Sequence, residues 1–189
     1  MPSLCSLEEL MEEELKDIYD AEKQLTRALP KLAKRATSAD LKDAFEEHLR
    51  QTRRHVERIE DAFERLGMPA RGKKCEGMQH LIAEGEEMIG EAEDEATRDA
   101  VMIASAQKVE HYEIASYGTL RTWANLLGMP EIAALLDETI EEEREADHIL
   151  TTIAERSVNQ AAATSVRGTS LHHPRSTAAE KGTTRRRRR

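Results

Sequence analysis

Gly67-Met-Pro-Ala-Arg-Gly-Lys-Lys-Cys-Glu-Gly-Met-Gln-His-Leu-Ile-Ala-Glu-Gly-Glu-Glu-Met-Ile-Gly-Glu-Ala-Glu-Asp94 joins two strongly helical halves of the chain, and its length decides how they are arranged. It opens on Gly67 with Pro69 just beyond, a pairing that ends helices, and it closes on Asp94, whose side chain can accept from the free N–H groups of a following helix. Between them lies one short amphipathic helix, about 77–91. On the N-terminal side apolar residues recur at three- and four-residue spacing through helix A, about 7–35, opened by the capping box Ser6-x-x-Glu9, and helix B, about 39–66, capped by Ser38. On the C-terminal side the same spacing marks helix C, about 95–127, closed by Gly128, and helix D, about 130–156, with Pro130 at its first position. Two or three residues join A to B and C to D, which forces each pair into an antiparallel hairpin. The B-to-C connection of about 28 residues is long enough to run the length of a bundle. The spacing therefore predicts an all-α four-helix bundle of two antiparallel hairpins, with a long B–C crossover containing a short helix. Leu-Gly-Met-Pro occurs at both 66–69 and 127–130, which reports the same stop chemistry twice and is too little for a repeat protein.

Composition agrees with this. A length of 189 residues suits one domain with a sizeable core, aromatics are 3%, and only five Pro and nine Gly interrupt the helix formers. No apolar run approaches the roughly 20 residues that cross a bilayer, and Met1-Pro2-Ser3-Leu4 lacks the basic and then apolar pattern of a secretory signal. A cytoplasmic protein without a membrane partner is expected. Cys5 and Cys75 stand alone, which suggests neither a disulfide framework nor a zinc knuckle. The net charge of −9 hides an asymmetry, because residues 157–189 hold eight Lys/Arg against Glu180 alone, leaving −16 on the first 156 residues. The reading is a bundle over 1–156 and a disordered basic tail over 157–189. Arg185 to Arg189 suit at most weak, salt-sensitive contact with nucleic acid, and a solvated terminus without a partner is the favoured reading.

Each side chain can be placed relative to its helix's apolar stripe, because an α-helix turns about 100° per residue. Glu22 lies within the helix A stripe of Met11, Ile18, Leu25, Leu29 and Leu32. His48, Thr52 and His55 lie within the helix B stripe of Leu41, Phe45, Val56, Ile59, Phe63 and Leu66, with Gln51 at its margin. Glu110 and Glu113 belong to the helix C stripe of Ile103, Ala106, Ile114, Tyr117 and Ala124, and Glu143 and Asp147 interrupt the helix D stripe of Ile132, Leu136, Ile140, Leu150 and Ala154. The midpoints of the four spans fall near residues 21, 52, 111 and 143, so these polar groups share one depth. Five carboxylates and two imidazoles would then meet in apolar surroundings, where an unpaired carboxylate costs several kcal/mol. No Lys or Arg lies within the stripes at that level, since Arg121 is about 16 Å along the axis from Glu110. A hydrated polar seam with some protonated Glu would explain any one of these residues. All four helices contributing at one depth favour two divalent cations, and carboxylates with imidazoles suit iron, with manganese as the alternative.

The same stripe test sets other residues aside. Glu145-x-x-His148 has the Glu-x-x-His spacing of di-iron proteins, but both residues point away from the stripe and are expected on the surface. His111 and Tyr112 are expected to face outward, and Glu14, on the stripe near the bundle end, is read as structural.

Four strings carry a family resemblance: Asp17-Ile-Tyr-Asp-Ala-Glu-Lys-Gln-Leu25, His48-Leu-Arg-Gln-Thr52, Gln107-Lys-Val-Glu-His-Tyr-Glu-Ile-Ala-Ser-Tyr-Gly118, and Glu138-Thr-Ile-Glu-Glu-Glu143 with Asp147. Over about residues 7–156 the chain resembles the ferritin-like superfamily and, within it, the YciE/YciF group of bacterial stress-associated proteins. The resemblance implies a ferritin-like bundle, a homodimer and a di-iron-type site carried over to Glu22, His48, Gln51, Glu110, Glu113, Glu143 and Asp147. Gln51 stands where the superfamily often has Glu. The function expected is a di-metal carboxylate protein of the stress response in which Fe(II) reacts with O2 or peroxide, with Glu110 and Glu143 bridging and Glu22, His48 and Asp147 terminal. The alternative is a non-enzymatic stress-associated bundle with structural or no metal. Iron storage ranks below both, since it needs a hollow shell of which the sequence gives no sign.

Overall fold

The computed structural model of the chain describes residues 4–165. Six α-helices follow one another: α1 (Leu7–Arg35), α2 (Ala39–Arg65), α3 (Glu76–Glu91), α4 (Glu95–Leu126), α5 (Pro130–Ile153) and α6 (Asn159–Ser165), with a π-helical turn over Ala154–Val158 between the last two. Local chemistry accounts for the ends. Ser6 Oγ accepts from Glu9 N at 3.1 Å while the Glu9 carboxylate accepts from Cys5 N at 2.7 Å. Ser38 and Asp94 cap α2 and α4 in the same way, through Leu41 N and Thr97 N. The two Leu-Gly-Met-Pro strings produce the same stop. Gly67 and Gly128 take φ of 67° and 73°, a left-handed conformation that glycine adopts without steric cost. The following Met68 and Met129 N–H groups then reach back to Phe63 O and Ala124 O.

Two ends of the bundle fix its topology. At one, the buried Asp99 near the start of α4 accepts from Thr37 N at 3.0 Å and Ser38 N at 2.7 Å, which clamps the α1–α2 turn. At the other, Arg65 at the end of α2 meets Glu131 at the start of α5 at 2.5 Å. Hence α2 and α4 run one way and α1 and α5 the other. Packing of α4 on α5 and α1, and of α2 on α1 and α5, is antiparallel at every neighbour. The crossover helix α3 climbs the outside of α4 and α1, from Cys75 N on Asp20 to Ile89 O on Arg35. Apolar faces close on a core that includes Phe45, Ile59, Phe63, Leu120 and Leu136.

The expected bundle limit at Arg156 requires correction. The chain stays helical to Ser165, and Val158 is buried in the core. The Ser/Thr/Ala-rich composition after Arg156 hid this, because Val158, four residues beyond Ala154, is the one larger apolar residue that continues the stripe between 157 and 165. The rest of the expected tail, from residue 166, lies outside the described residues. No helix among the described residues is long and apolar enough to cross a membrane.

Candidate metal centre

Each of the four long helices sends carboxylates or imidazoles inward at mid-length, as the stripes predict. Glu22, His55, Glu113 and Glu143 are fully buried, Glu110 is 2% exposed and His48 6%. They form two groups of ligand-type atoms, each within 4.8 Å of one another: His48 with Glu110, Glu113 and Glu143, and Glu22 with His55 and Glu143. Glu143 is common to both. Its Oε2 stands 3.6 Å from His48 Nε2 and its Oε1 stands 2.9 Å from His55 Nδ1. Glu110 Oε2 lies 3.4 Å from His48 Nε2, and Glu22 Oε1 3.4 Å from His55 Nδ1. The two imidazole rings are 6.3 Å apart.

The outer face of each imidazole is occupied. His48 Nδ1 is 3.2 Å from Gln51 Oε1, which can only accept, so Nδ1 carries the proton and Nε2 is free to face the carboxylates. His55 Nε2 is 2.8 Å from Glu142 Oε2, and Arg58 grips that carboxylate with both terminal nitrogens, at 2.6 and 3.1 Å. The hydrogen bond to His55, with the Arg58 guanidinium, holds Glu142 far below the usual carboxylate range against its partial burial. Glu142 is therefore the acceptor and His55 Nε2 the donor. Tyr117 OH donates to Glu22 Oε1, and Thr52 Oγ1 donates to the His48 carbonyl at 2.8 Å.

Inside this ring, hydrogen bonding runs out. No aligned donor reaches Glu22 Oε2, Glu110 Oε2, either oxygen of Glu113 or either oxygen of Glu143, and His55 Nδ1 is likewise without a hydrogen bond. Without cations, protons are the available counter-charge. Burial, with the charge of Glu143, pushes Glu110 and Glu113 well above the ordinary range. Burial alone would lower His55, but the charges of Glu22, Glu142 and Glu143 outweigh it and push it up to about 12. Burial also opposes ionisation of Glu143, yet His48 and His55 hold it below its ordinary value. Buried carboxyls left without donors are costly, and oxygen and imidazole atoms clustered in this way fit a cation-binding site.

Other sequence expectations need correction at this layer. Asp147 is in neither group. One turn past Glu143 it is partly exposed, and its short side chain accepts from Gln107 Nε2 of α4 at 2.9 Å. Gln51 faces the imidazole of His48 and not the interior. Glu110 and Glu113 each fall in one group only, and Glu143 is the carboxylate common to the two. Tyr112 is half-buried under α3, its OH donating to Asp17 at 2.9 Å and lying 3.2 Å from Cys75 Sγ, because α3 covers a face of α4 that four helices alone would leave open. Glu145, His148 and His111 are exposed as expected. Arg121 pairs with Asp137 away from the layer. Glu142, Arg58 and the hydroxyl of Tyr117 were not singled out by the stripes. The available signal was Arg58 one turn from His55, on the same edge of α2.

A family model described as "Domain of unknown function (DUF892)" matches residues 6–163. Protein YciF of Escherichia coli (strain K12) is 47% identical over 161 residues, 85% of this chain and 97% of that protein. The crystal structure of the E. coli stress protein YciF aligns with a TM-score of 0.79 at 46% identity, covering 83% of this chain and 99% of that one. YcfI from Rhodopseudomonas palustris gives 0.79 at 41% identity over 80% and 97%. A two-domain Anabaena variabilis protein containing DJ-1/ThiJ/PfpI-like and ferritin-like domains aligns at 17% identity with a TM-score of 0.51, covering 97% of this chain and 42% of that one, a likeness of fold alone. With a matching family model over most of its length, a close relative in E. coli YciF and the two-hairpin crossover topology, the chain belongs to the DUF892 family, in the YciF group of ferritin-like bundles.

Proposed function

We infer that the layer holds two divalent cations, iron favoured over manganese, and that bound Fe(II) is oxidised by O2 or peroxide. The observation that carries this reading is the set of seven buried polar atoms without hydrogen bonds, all at one depth and all on ligand-type side chains. Four carboxylates, Glu22, Glu110, Glu113 and Glu143, would balance two divalent charges while both imidazoles stay neutral. His48 with Glu110 and Glu113 would hold one ion and Glu22 with His55 the other, with Glu143 facing both. A carboxylate has two oxygens and so can serve two ions at once. Such a pair of ions supplies one-electron redox chemistry at adjacent positions when bound.

The chain's own residues do the rest. Gln51 and Glu142 fix the imidazoles so that His48 Nε2 and His55 Nδ1 point inward. Loading requires protons to leave Glu110, Glu113 and the inner nitrogen of His55, so uptake of metal is coupled to proton release. E. coli YciF is described as a stress protein, and consuming an oxidant is a role that suits such a relative; the homodimer implied by the resemblance belongs to the same proposal.

The test is anaerobic Fe(II) titration of protein purified without a metal-binding tag, with elemental analysis before and after. The expected result is a break at two Fe(II) per chain and conversion to Fe(III) when air or peroxide is admitted. Binding of less than one equivalent, or Fe(II) that persists in air, would reject the reading.

A further inference from the structure

A cavity of about 110 Å3 lies between α1, α3 and α4, and its inner wall is formed by His48 and Glu110. The remaining lining is almost all hydrocarbon, with Leu25, Leu29, Ile82, Ile89, Ala106 and Val109 the main contributors. We propose that this cavity is a binding site for a small, uncharged, apolar molecule of benzene size or less, held with one end against the His48–Glu110 side of the metal centre. What the molecule does once bound rests on the function proposed above; that it binds does not.

Three observations define the ligand class. The first is size, since an engineered apolar cavity of roughly 150 Å3 binds benzene or xenon and stays free of water. A space of about 110 Å3 is large enough for such probes and too small for an acyl chain. The second is charge. The cations in the lining, Lys31 and Arg35, are exposed side chains at its mouth, where Lys31 Nζ meets Glu86 Oε1 at 3.0 Å and Arg35 Nη2 meets Ile89 O at 3.3 Å, and neither stands among the hydrocarbon of the inner space. The third is that the other space beside the same pair is too small for such a ligand. His48 and Glu110 also wall a cavity of about 40 Å3 on the opposite side, between α2 and α5. A molecule of benzene size that meets this pair therefore has the α1–α3–α4 side. Glu110 is the polar group at the end of the apolar space, and its buried Oε2 has no hydrogen-bond donor.

The experiment uses the full chain with benzene and xenon as probes, first with EDTA and then with Mn(II). Xenon-pressurised crystals should show density between Leu29, Ile82, Ala106 and Val109, and benzene should raise the melting temperature in a saturable manner in both conditions. Ala106→Leu, which fills the space, and Ile82→Trp, which blocks it from the less buried α3 side, should each weaken benzene binding at least tenfold while metal stoichiometry is unchanged. Absence of xenon density, or benzene protection that is equal in the wild type and in both variants, would overturn the proposal. Because the EDTA arm contains no metal, failure there condemns the cavity alone, whereas a normal benzene response with no metal uptake condemns the metal reading alone. The natural occupant is separated by mixing Fe(II)-loaded protein with oxidants. If Ala106→Leu slows oxidation by O2 at least tenfold but leaves oxidation by peroxide unchanged, the occupant is dioxygen; if neither rate changes while benzene binding is lost, it is a small organic molecule.

Discussion

Replacing Glu113 with Leu should stabilise the metal-free protein and abolish most of its response to metal. Glu113 is completely buried, and neither of its carboxylate oxygens has a hydrogen-bond donor. Burial, aided by the charges of Glu143, Glu22 and Glu110, raises its pKa well above the ordinary range, so in the absence of cations it is held neutral at a cost. A buried polar group left unsatisfied costs about 1–3 kcal/mol, and a leucine of similar volume removes that penalty. At about 2–4 °C per kcal/mol for a chain of this size, the melting temperature in EDTA should rise by roughly 2–12 °C. In Mn(II) the gap should close or invert. A ligand at 100 times its dissociation constant stabilises the native state by about 2.7 kcal/mol, and only the wild type retains the complete carboxylate set needed to gain it. Paired thermal and urea unfolding in EDTA and in Mn(II) measures both signs. The reasoning is refuted if the variant is less stable than the wild type in EDTA, since the carboxyl would then have a structural partner. It is also refuted if both proteins gain equally from Mn(II).

Further outcomes follow from the same geometry. Glu142→Gln loosens the acceptor for His55 Nε2 and frees Arg58, so Mn(II) affinity measured by calorimetry should fall by about 10–100-fold with the stoichiometry kept; unchanged affinity would show that Glu142 does not orient the imidazole. The metal-free protein should lose stability as pH rises from 5.5 to 8. Glu110 and Glu113 have folded-state pKa values above their unfolded ones, and His55 is pushed up to about 12, so the native state binds more protons than the unfolded chain across this window and releases that advantage as pH rises. Urea midpoints in EDTA at the two pH values check the sign, and a midpoint that climbs with pH contradicts it. Gly128→Ala places a Cβ on a residue at φ 73°, and unfolding should show a loss of about 1 kcal/mol.

The fold was legible because its decisive signals are local. Capping at Ser6, Ser38 and Asp94 and the two Leu-Gly-Met-Pro stops depend on neighbours a few residues away, and the structure shows their hydrogen bonds. Connection length then fixes topology, since a short link leaves no alternative to a hairpin. The clamp of Asp99 on the α1–α2 turn was not legible, because its partners are about sixty positions distant and a lone Asp on a helix reads as solvated. The end of the bundle was missed for a different reason. A stripe needs several apolar residues to be recognised, and past Arg156 it is carried by Val158, four residues after Ala154, among Ser, Thr, Asn, Gln and Ala that read as loop composition.

The interior layer separates what angular position determines from what it does not. Glu22, His48, His55, Glu110, Glu113 and Glu143 are buried because their Cα atoms face inward, and a 100° rotation per residue is enough to find them. Asp147 has nearly the same angular claim but fails, because its short side chain meets Gln107 on the neighbouring helix before it reaches the interior. Glu142 shows the converse. It starts about 100° from Glu143, yet a side chain with three rotatable bonds carries its carboxylate back to the His55 imidazole, where Arg58 pins it. Inward direction thus selects the groups that face the cluster, while reach and cross-helix competition select those that orient them. The second set decides which nitrogen of each imidazole is available, and with it whether the buried carboxylates meet a cation or a proton.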